Sequence, residues 1–568
     1  MYNKEYLRWC EAVGEEYLQA ELKEINGNDE AIKERFLLNL EFGTAGLRGV
    51  LGAGTNRMNI YTVGKATQGL ANFLKSENEN PVVTISYDSR IRSDEFAKVA
   101  AQILAANGVK VYLYDALAPV PMLSFATRAH KSDAGIMITA SHNPAKYNGY
   151  KAYAPDGSQL GPEAADYVLS IMESVDIFDG VKSMDFDTAL KEGKIEYITD
   201  DIVEEYLDNV EAQRVEKDID FSALKVIYTP LNGAGNKPVR AILKRIGVKN
   251  VTVVPEQEMP DGNFPTAPYP NPEIRQPFEC ALKLAEKVKP DILLATDPDS
   301  DRVGIAVNQN GEYVLISGND MGVLLLNYIL ERRTANGTLP KKPVAVKTIV
   351  SSELCQKIAD SYDCELINVL TGFKFIGEQI TILAEKNEQD RYIFGYEESY
   401  GYLCGDYARD KDAVVASMLI CEMTVFYKNN GKTLLDVLEE IYQKYGYCYS
   451  TQKSFTCEGQ SGMEKIKEIM SSLRNNPPME ICGSKVVKIN DYGTSLSYDK
   501  LANTESEITL PKSNVLSYFL EDTSTFIVRP SGTEPKIKTY ICAAAKTKAQ
   551  AEKRRDDLVD AGTKLLGF

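Results

Sequence analysis

The chain has 568 residues, with 64 Lys plus Arg against 81 Asp plus Glu, a net charge of −17 and 44% hydrophobic residues. This composition builds globular cores and excludes fibrous or disordered classes. So acidic a chain also excludes ordinary affinity for nucleic-acid phosphates, which clustered Lys and Arg supply, and no run approaches the length of an apolar membrane span.

In chain order, residues 4–26 and 29–40 carry apolar side chains at helical spacing among acids and lysines, which predicts two amphipathic helices. Short apolar runs then alternate with helical stretches. Segments 81–87, 109–114 and 135–139 read as strands, and 93–107 as a helix closed by Asn107-Gly108. The same grammar returns with strands at 224–229, 251–254 and 291–295 and helices at 234–246 and 282–288. A third set runs through a helix at 320–331, a strand at 344–350, a helix at 351–361 and a strand at 364–368. A strong helix is expected over 412–428. From about 449 the composition shifts toward Ser, Thr and Lys with shorter strands, and a final helix covers 547–565. At roughly 150 residues per domain the length predicts about four domains, and the pattern places breaks near 205, 317 and 449. The alternation predicts α/β units on mostly parallel sheets.

The ten cysteines are irregularly spaced and form no Cys-x-x-Cys pair, which predicts scattered reduced thiols and a cytoplasmic setting. The N-terminus opens Met-Tyr-Asn-Lys-Glu-Tyr, without the basic start and apolar core of a signal peptide.

Four motifs carry chemistry. Thr139-Ala140-Ser141-His142-Asn143-Pro144 follows an apolar strand directly. In doubly wound folds ligands bind outside the strand carboxyl ends, so Ser141 reads as an exposed nucleophile. An ordinary Ser/Asn/Pro turn is an equal reading of the hexapeptide alone. No Gly-x-Ser-x-Gly surrounds Ser141, and His130 and His142 are the two histidines, so a hydrolase triad has few candidates. Asp297-Pro298-Asp299-Ser300-Asp301-Arg302 sits between two apolar runs. Three carboxylates this close repel one another unless a cation neutralises them, and a hard divalent cation takes oxygen ligands. The pattern argues against a calcium EF-hand, because Arg302 stands where that loop has Gly and Asn308 where it has Glu. A polar turn is the plainer alternative. Arg529-Pro530-Ser531-Gly532-Thr533-Glu534-Pro535-Lys536 follows the strand 525–528 and offers a guanidinium fork, hydroxyls and backbone N–H groups to an anion, with Lys538 on the next strand. A solvated hairpin is the alternative. Gly395-Tyr396-Glu397-Glu398-Ser399-Tyr400-Gly401-Tyr402 sets acids beside Ser and aromatic rings, which suits sugar hydroxyls.

In this order and at these spacings, the four motifs resemble the α-D-phosphohexomutase family, and Phe42-Gly43-Thr44-Ala45-Gly46-Leu47-Arg48-Gly49 resembles its opening signature. The longer N-terminus and the Glu397-Glu398-Ser399-Tyr400-Gly401 loop look like the phosphoglucomutase/phosphopentomutase branch. The resemblance implies three similar mixed α/β domains and a smaller C-terminal α+β domain around a central cleft. The expected domains are 1–205 with the catalytic serine, 206–316 for metal, 317–448 for the sugar and 449–568 for phosphate. It implies Ser141 as the phosphorylated carrier, with Arg48, His142 and Lys151 beside the reaction. It implies magnesium on Asp297, Asp299, Asp301 and a phosphoserine oxygen of Ser141. It implies substrate contacts from Arg302, Thr371, Gly372, Lys374, Glu397, Ser399, Arg529, Ser531, Gly532, Thr533 and Lys538. The implied activity interconverts glucose 1-phosphate and glucose 6-phosphate through a sugar bisphosphate, glucose 1,6-bisphosphate serving as activator. The branch also holds phosphopentomutases and glucose 1,6-bisphosphate synthases. The implied partner is a small phosphosugar, with no nucleic acid, membrane or obligate protein partner.

Overall fold

A computed structural model describes the chain except for Met1, Glu41, Thr44, Ala45, Glu458 and residues 532–535; the side chains of residues 42, 43 and 459–461 are also outside the description. Gly532 and Thr533 therefore lie outside the described residues. The chain divides into two compact units. The first holds residues 1–316, 376–392 and 400–426; the second holds 317–375, 393–399 and 427–568.

The N-terminus makes three helices, where two were expected: α1 (Tyr2–Ala12), α2 (Glu16–Glu24) and α3 (Asp29–Phe36). The break falls at Gly14, whose N–H leaves the helical ladder and donates to Tyr61 Oη at 3.1 Å. Glu15 is extended there, with ψ 125°. The third helix starts under a cap, Asn28 accepting from Ala31 N. Trp9, Leu18, Leu22, Ile32 and Phe36 bury the apolar faces together.

The first sheet carries β1 (Phe42–Gly43), β2 (Gly46–Val50), β3 (Val82–Tyr87), β4 (Lys110–Leu113), β5 (Ala134–Ile138), β6 (Tyr147–Tyr153) and β7 (Ile195–Tyr197). Its order is β1-β2-β6-β5-β3-β4-β7. Strands β5, β3, β4 and β7 run parallel, as the alternating pattern predicts. The flank β1-β2-β6-β5 is antiparallel, so the sheet is mixed where mostly parallel was expected. The reason is local: the turn holding Ser141 returns the chain directly, leaving no room for a crossover helix.

The second sheet repeats the plan with β8 (Lys225–Thr229), β9 (Asn250–Val253), β10 (Ile292–Thr296), β11 (Val303–Gln309) and β12 (Glu312–Ile316), ordered β12-β11-β10-β8-β9. The β10–β11 pair is an antiparallel hairpin whose connection is the triple-aspartate loop. In the second unit, β13 (Val344–Thr348), β14 (Glu365–Val369) and β15 (Tyr392–Glu397) are ordered β14-β13-β15. The short β16 (Gly401–Leu403) belongs to the first unit.

The C-terminal region is an antiparallel sheet of β17 (Tyr447–Thr456), β18 (Glu480–Ile481), β19 (Ser484–Asp491), β20 (Leu496–Asp499), β21 (Thr504–Glu507), β22 (Leu516–Leu520), β23 (Thr525–Pro530) and β24 (Lys536–Ala545). β17 and β24 each run ten residues, longer than the short strands expected. In β17 Gln452, Ser454 and Thr456 are exposed and interrupt the apolar pattern; in β24 Lys536, Lys538 and Thr539 interrupt it although none of the three is exposed. The helices 459–475 and 548–565 supply apolar side chains to the core on one face of this sheet. Cys448 and Cys542 form a disulfide between β17 and β24, which corrects the expectation of ten free thiols. The register sets Cys542 opposite Ser450 and Cys448 opposite Ala544, making the cysteines diagonal neighbours with Cα atoms 5.7 Å apart. A separation of 94 residues carries no sequence signal for that pairing. No described helix is long and apolar enough to cross a membrane.

Candidate active site

Ser141 sits just past the end of β5, in a turn held from both sides. Thr139 Oγ1 donates to Asp88 Oδ2 at 2.6 Å and accepts from Ser141 N at 2.8 Å. Gly149 on β6 lets that strand close on the turn, since a Cβ there would stand 2.5 Å from Thr139 O. Ser141 Oγ donates to Asp297 Oδ2 at 2.8 Å and lies 3.1 Å from His142 Nδ1. Burial first, then the charge of Arg302, holds the His142 imidazole well below its usual range. The ring is neutral at pH 7 and keeps one nitrogen as an acceptor.

The triple-aspartate loop is almost wholly withdrawn from solvent, with Asp297 and Asp299 at 0% and Asp301 at 2% exposure. Asp297 Oδ1 accepts the N–H groups of Asp301 and Arg302 at 3.1 and 3.0 Å, which folds the loop around its first carboxylate. Gly235 backs it: a Cβ there would stand 2.6 Å from Ser300 Oγ. Two cations face the acids. Lys151 Nζ, projected from β6, lies 2.9 Å from Asp299 Oδ2 and 3.8 Å from Asp301 Oδ2. Lys411 Nζ lies 3.1 Å from Asp301 Oδ2 and 2.9 Å from Asp410 Oδ1. Burial and the charge of Asp299 push Asp297 and Asp301 up. Burial acts the same way on Asp299, but Lys151, Asp297 and Lys411 together outweigh it and hold that carboxyl below the ordinary range. Burial opposes the Lys151 charge in turn, and Asp299 with Asp301 outweighs it, so the ammonium persists.

The donor set fits a divalent cation. Oxygens of all three aspartates lie within 4.8 Å of one another. Asp299 Oδ1 and Asp301 Oδ1 are buried without a hydrogen-bond donor among the described residues, and such carboxylate oxygens are costly unless a cation takes them. Arg302 donates through Nη1 to Glu273 Oε1 at 2.6 Å. Arg48 lies on β2 opposite Gly149, and its charge reaches His142. The first unit therefore brings Ser141, His142, Lys151, the three aspartates, Arg302 and Arg48 into one locality.

The second unit gathers the remaining motifs. Gly372 N donates to Glu397 Oε1 at 2.8 Å, from a backbone with φ +123° that favours glycine. Thr371 precedes it, and Lys374 Nζ stands 5.3 Å from the Phe375 ring centroid. Ser399 lies in the turn after β15, half-buried. Glu398 accepts from Thr348 Oγ1 at 3.1 Å. Burial, then the Glu397 charge, raises its carboxyl to about 7, while Arg529 acts the other way. Arg529 and Lys538 are direct cross-strand partners on β23 and β24, and Ser531 follows β23. Arg529 Nη1 donates to Tyr540 Oη at 3.5 Å.

Sequence reasoning missed Lys411 and Glu273, and placed Glu398 in the sugar loop without a role of its own. The charged run Arg409-Asp410-Lys411-Asp412 directly before a long apolar helix was the available signal for Lys411. Glu273 lies in an irregular stretch and offered none.

Four family descriptions match the chain in order: Phosphoglucomutase/phosphomannomutase, alpha/beta/alpha domain I at residues 39–177, domain II at 204–311, domain III at 317–445 and the C-terminal domain at 488–561. A phosphoglucomutase of Staphylococcus haemolyticus (strain JCSC1435) is 39% identical over 512 residues, 90% of this chain and 91% of the relative. Two solved structures share the fold. A putative phosphomannomutase from Thermus thermophilus has a TM-score of 0.69 at 21% identity, covering 94% of this chain and 100% of its own. The open form of pp63/parafusin, a phosphoglucomutase from Paramecium, has a TM-score of 0.68 at 17% identity, covering 93% and 95%. The ordered matches and the identity across nine-tenths of both chains lead to one conclusion: the chain belongs to the phosphoglucomutase/phosphomannomutase family.

Proposed function

We propose that the protein is a phosphosugar mutase that interconverts glucose 1-phosphate and glucose 6-phosphate, with Ser141 as the phosphate carrier. The observation that carries this reading is Ser141 Oγ seated 2.8 Å from a carboxylate of the buried triad, combined with 39% identity to a relative named phosphoglucomutase. Asp297, Asp299 and Asp301 would hold Mg2+ together with an oxygen of phosphorylated Ser141. When bound, that ion supplies neutralising charge to the phosphoryl oxygens, the chief electrostatic need of phosphoryl transfer.

The residues then divide the work. Phosphoserine 141 gives its phosphoryl group to a free sugar hydroxyl: the Oγ–P bond breaks as the sugar O–P bond forms. Ser141 Oγ takes up a proton, and the sugar hydroxyl releases one to a base. His142, neutral and 3.1 Å from Ser141 Oγ, suits a proton exchange there. Lys151, charged beside Asp299, neutralises the incoming phosphate, and Arg302 and Arg48 offer forks for its oxygens. Arg529, Lys538 and Ser531 hold the phosphate that is not reacting, with Gly532 and Thr533 completing that loop. Glu397 and Ser399 read the sugar hydroxyls, with Thr371, Gly372 and Lys374 beside them. The bisphosphate must turn around before its other phosphate returns to Ser141, so glucose 1,6-bisphosphate serves as intermediate and activator. The reading includes four domains, at 1–205, 206–316, 317–448 and 449–568, and a cytoplasmic setting.

An assay with Mg2+ and glucose 1,6-bisphosphate tests the reading. Glucose 6-phosphate should form from glucose 1-phosphate, with kcat/KM above that for mannose 1-phosphate or ribose 1-phosphate with their matching bisphosphates. Free phosphate appearing without glucose 6-phosphate would make the protein a phosphatase and overturn the reading.

A further inference from the structure

Arg90 lies outside every motif used above, yet its side chain is wholly buried at the serine turn. Its Nη1 donates to Pro144 O at 3.1 Å and to Tyr147 O at 3.0 Å. Its Nη2 donates to Ser141 O at 2.5 Å and also to Asn143 O. One guanidinium thus ties four carbonyls of the segment that links β5 to β6. Asp88 Oδ2 stands 3.4 Å from Arg90 Nε and balances its charge, and the Phe264 ring covers it with its centroid 5.1 Å from Cζ. Asp88 reaches the same turn from the other side through Thr139 Oγ1, which receives Ser141 N. It is itself fixed by Arg90 N at 2.9 Å and Ser93 Oγ at 2.8 Å.

This arrangement has more constraint than a stable turn needs. A β-strand followed by a short return requires a few backbone hydrogen bonds, and Asn143 N to Ala140 O and Tyr147 N to Pro144 O already supply them. Burying a guanidinium is expensive unless its donors are matched. The matched donors converge on the carbonyl of Ser141 and its downstream neighbours, while Thr139 fixes the Ser141 amide. Ser141 is therefore gripped at both its N–H and its C=O, which fixes the direction of its Cα–Cβ bond, and the contacts of Oγ with Asp297 and His142 select the rotamer.

We infer that Arg90, acting with the Asp88–Thr139 pair, is a positioning residue for phosphoryl transfer: it fixes the backbone of Ser141 so that Oγ, free or phosphorylated, stays aligned on the metal-binding loop. The inference rests on the reading of Ser141 as carrier. Lysine cannot replace it, because a tetrahedral ammonium cannot span four carbonyls with a planar fork. Small misplacements of a reacting atom, about 1 Å, cost on the order of 10²-fold in rate, so loss of this grip falls on the transfer step.

The test uses the full-length protein with Arg90→Lys and, as a milder change on the opposite side of the grip, Thr139→Val. Steady-state turnover of glucose 1-phosphate gives kcat and KM. A single-turnover experiment on phosphorylated enzyme gives the ratio of phosphoryl passed to sugar over phosphoryl lost to water. Arg90→Lys should lower kcat by about 10²-fold with KM within about threefold, and Thr139→Val by roughly tenfold. The sugar-to-water ratio should fall in both, whereas general destabilisation would lower the amount of active enzyme and leave that ratio unchanged. Folded variants with an unchanged ratio overturn the inference. If Arg90→Lys does not fold, Thr139→Val decides alone by the same ratio. Wild-type enzyme that never carries phosphate on Ser141 would instead defeat the reading beneath it, so the two failures are told apart.

Discussion

The group proposed for phosphoryl transfer in the first unit and the group proposed for sugar recognition in the second are built on different terms. Around Ser141 the carboxylates are buried and each of three faces a cation: Asp299 faces Lys151, Asp301 faces Lys411 and Asp88 faces Arg90. In the second unit Glu398, Ser399 and Arg529 are half-buried, and Arg529 meets Tyr540 at 3.5 Å. Charge development in a transition state rewards fixed groups, because fixed dipoles need no reorganisation at the moment of reaction. A sugar that must bind in two orientations rewards contacts that commit to neither. The contrast is what a mutase requires, and it can be broken by experiment.

The largest effect is expected at Ser141, the proposed carrier. Ser141→Ala should lower turnover by at least about 10⁴-fold, as nucleophile removal does elsewhere, and abolish phosphate incorporation from the bisphosphate. Retained turnover would place the chemistry outside the first unit. Asp299→Asn comes next, with an expected loss of about 10²–10³-fold in kcat. Two opposed changes meet at this site: the Lys151 pair is lost, and repulsion from Asp297 and Asp301 is relieved. The melting temperature should therefore move by less than about 5 °C. A large drop would show that the ion pair dominates the loop.

The recognition group should respond more gently. Arg529→Ala should raise KM by roughly 10–100-fold, equivalent to about 1–3 kcal/mol, with kcat nearly kept. A change confined to kcat would mean that this arginine belongs with the transfer group. The smallest effect is a pH dependence at Glu398. Its carboxyl is raised from 4.5 to about 7 by burial, so the folded state prefers the neutral form. That preference stabilises the fold below about pH 4.5 and is lost as the pH rises through about 7. Glu398→Gln removes the penalty, so its melting temperature relative to wild type should climb between pH 5 and pH 8. A constant difference would mean that Glu398 ionises freely.

The same contrast explains what could be read from the sequence. The serine turn and the aspartate loop are each compact in sequence and sit at strand ends, so a short window contains their chemistry. Strands β3, β5, β8 and β10 were legible because burial on both faces makes them continuous apolar runs. The break between α1 and α2 was missed because Val13 and Tyr17 sustain the helical spacing across Gly14, and only the Tyr61 contact shows where its N–H goes. Strands β17 and β24 were blurred by polar residues that interrupt their apolar runs, exposed ones in β17 and half-buried or buried ones in β24. Arg90 and Lys411 were missed for a different reason. Their partners, Ser141 and Asp301, lie far along the chain, and apart from the charged run at 409–412 nothing local marks these cations as buried.

One torsion angle at the turn bears on the choice of amino acid. Ser141 has φ 52°, in the left-handed region. A β-branched side chain fits there poorly. Threonine also carries a hydroxyl, though a secondary one, and its extra methyl group would strain the backbone in that conformation. The turn thus favours the primary alcohol on steric grounds. Exchanging Ser141 for threonine tests backbone handedness together with the nucleophile, and an evolving relative that left serine would first have to reshape the turn.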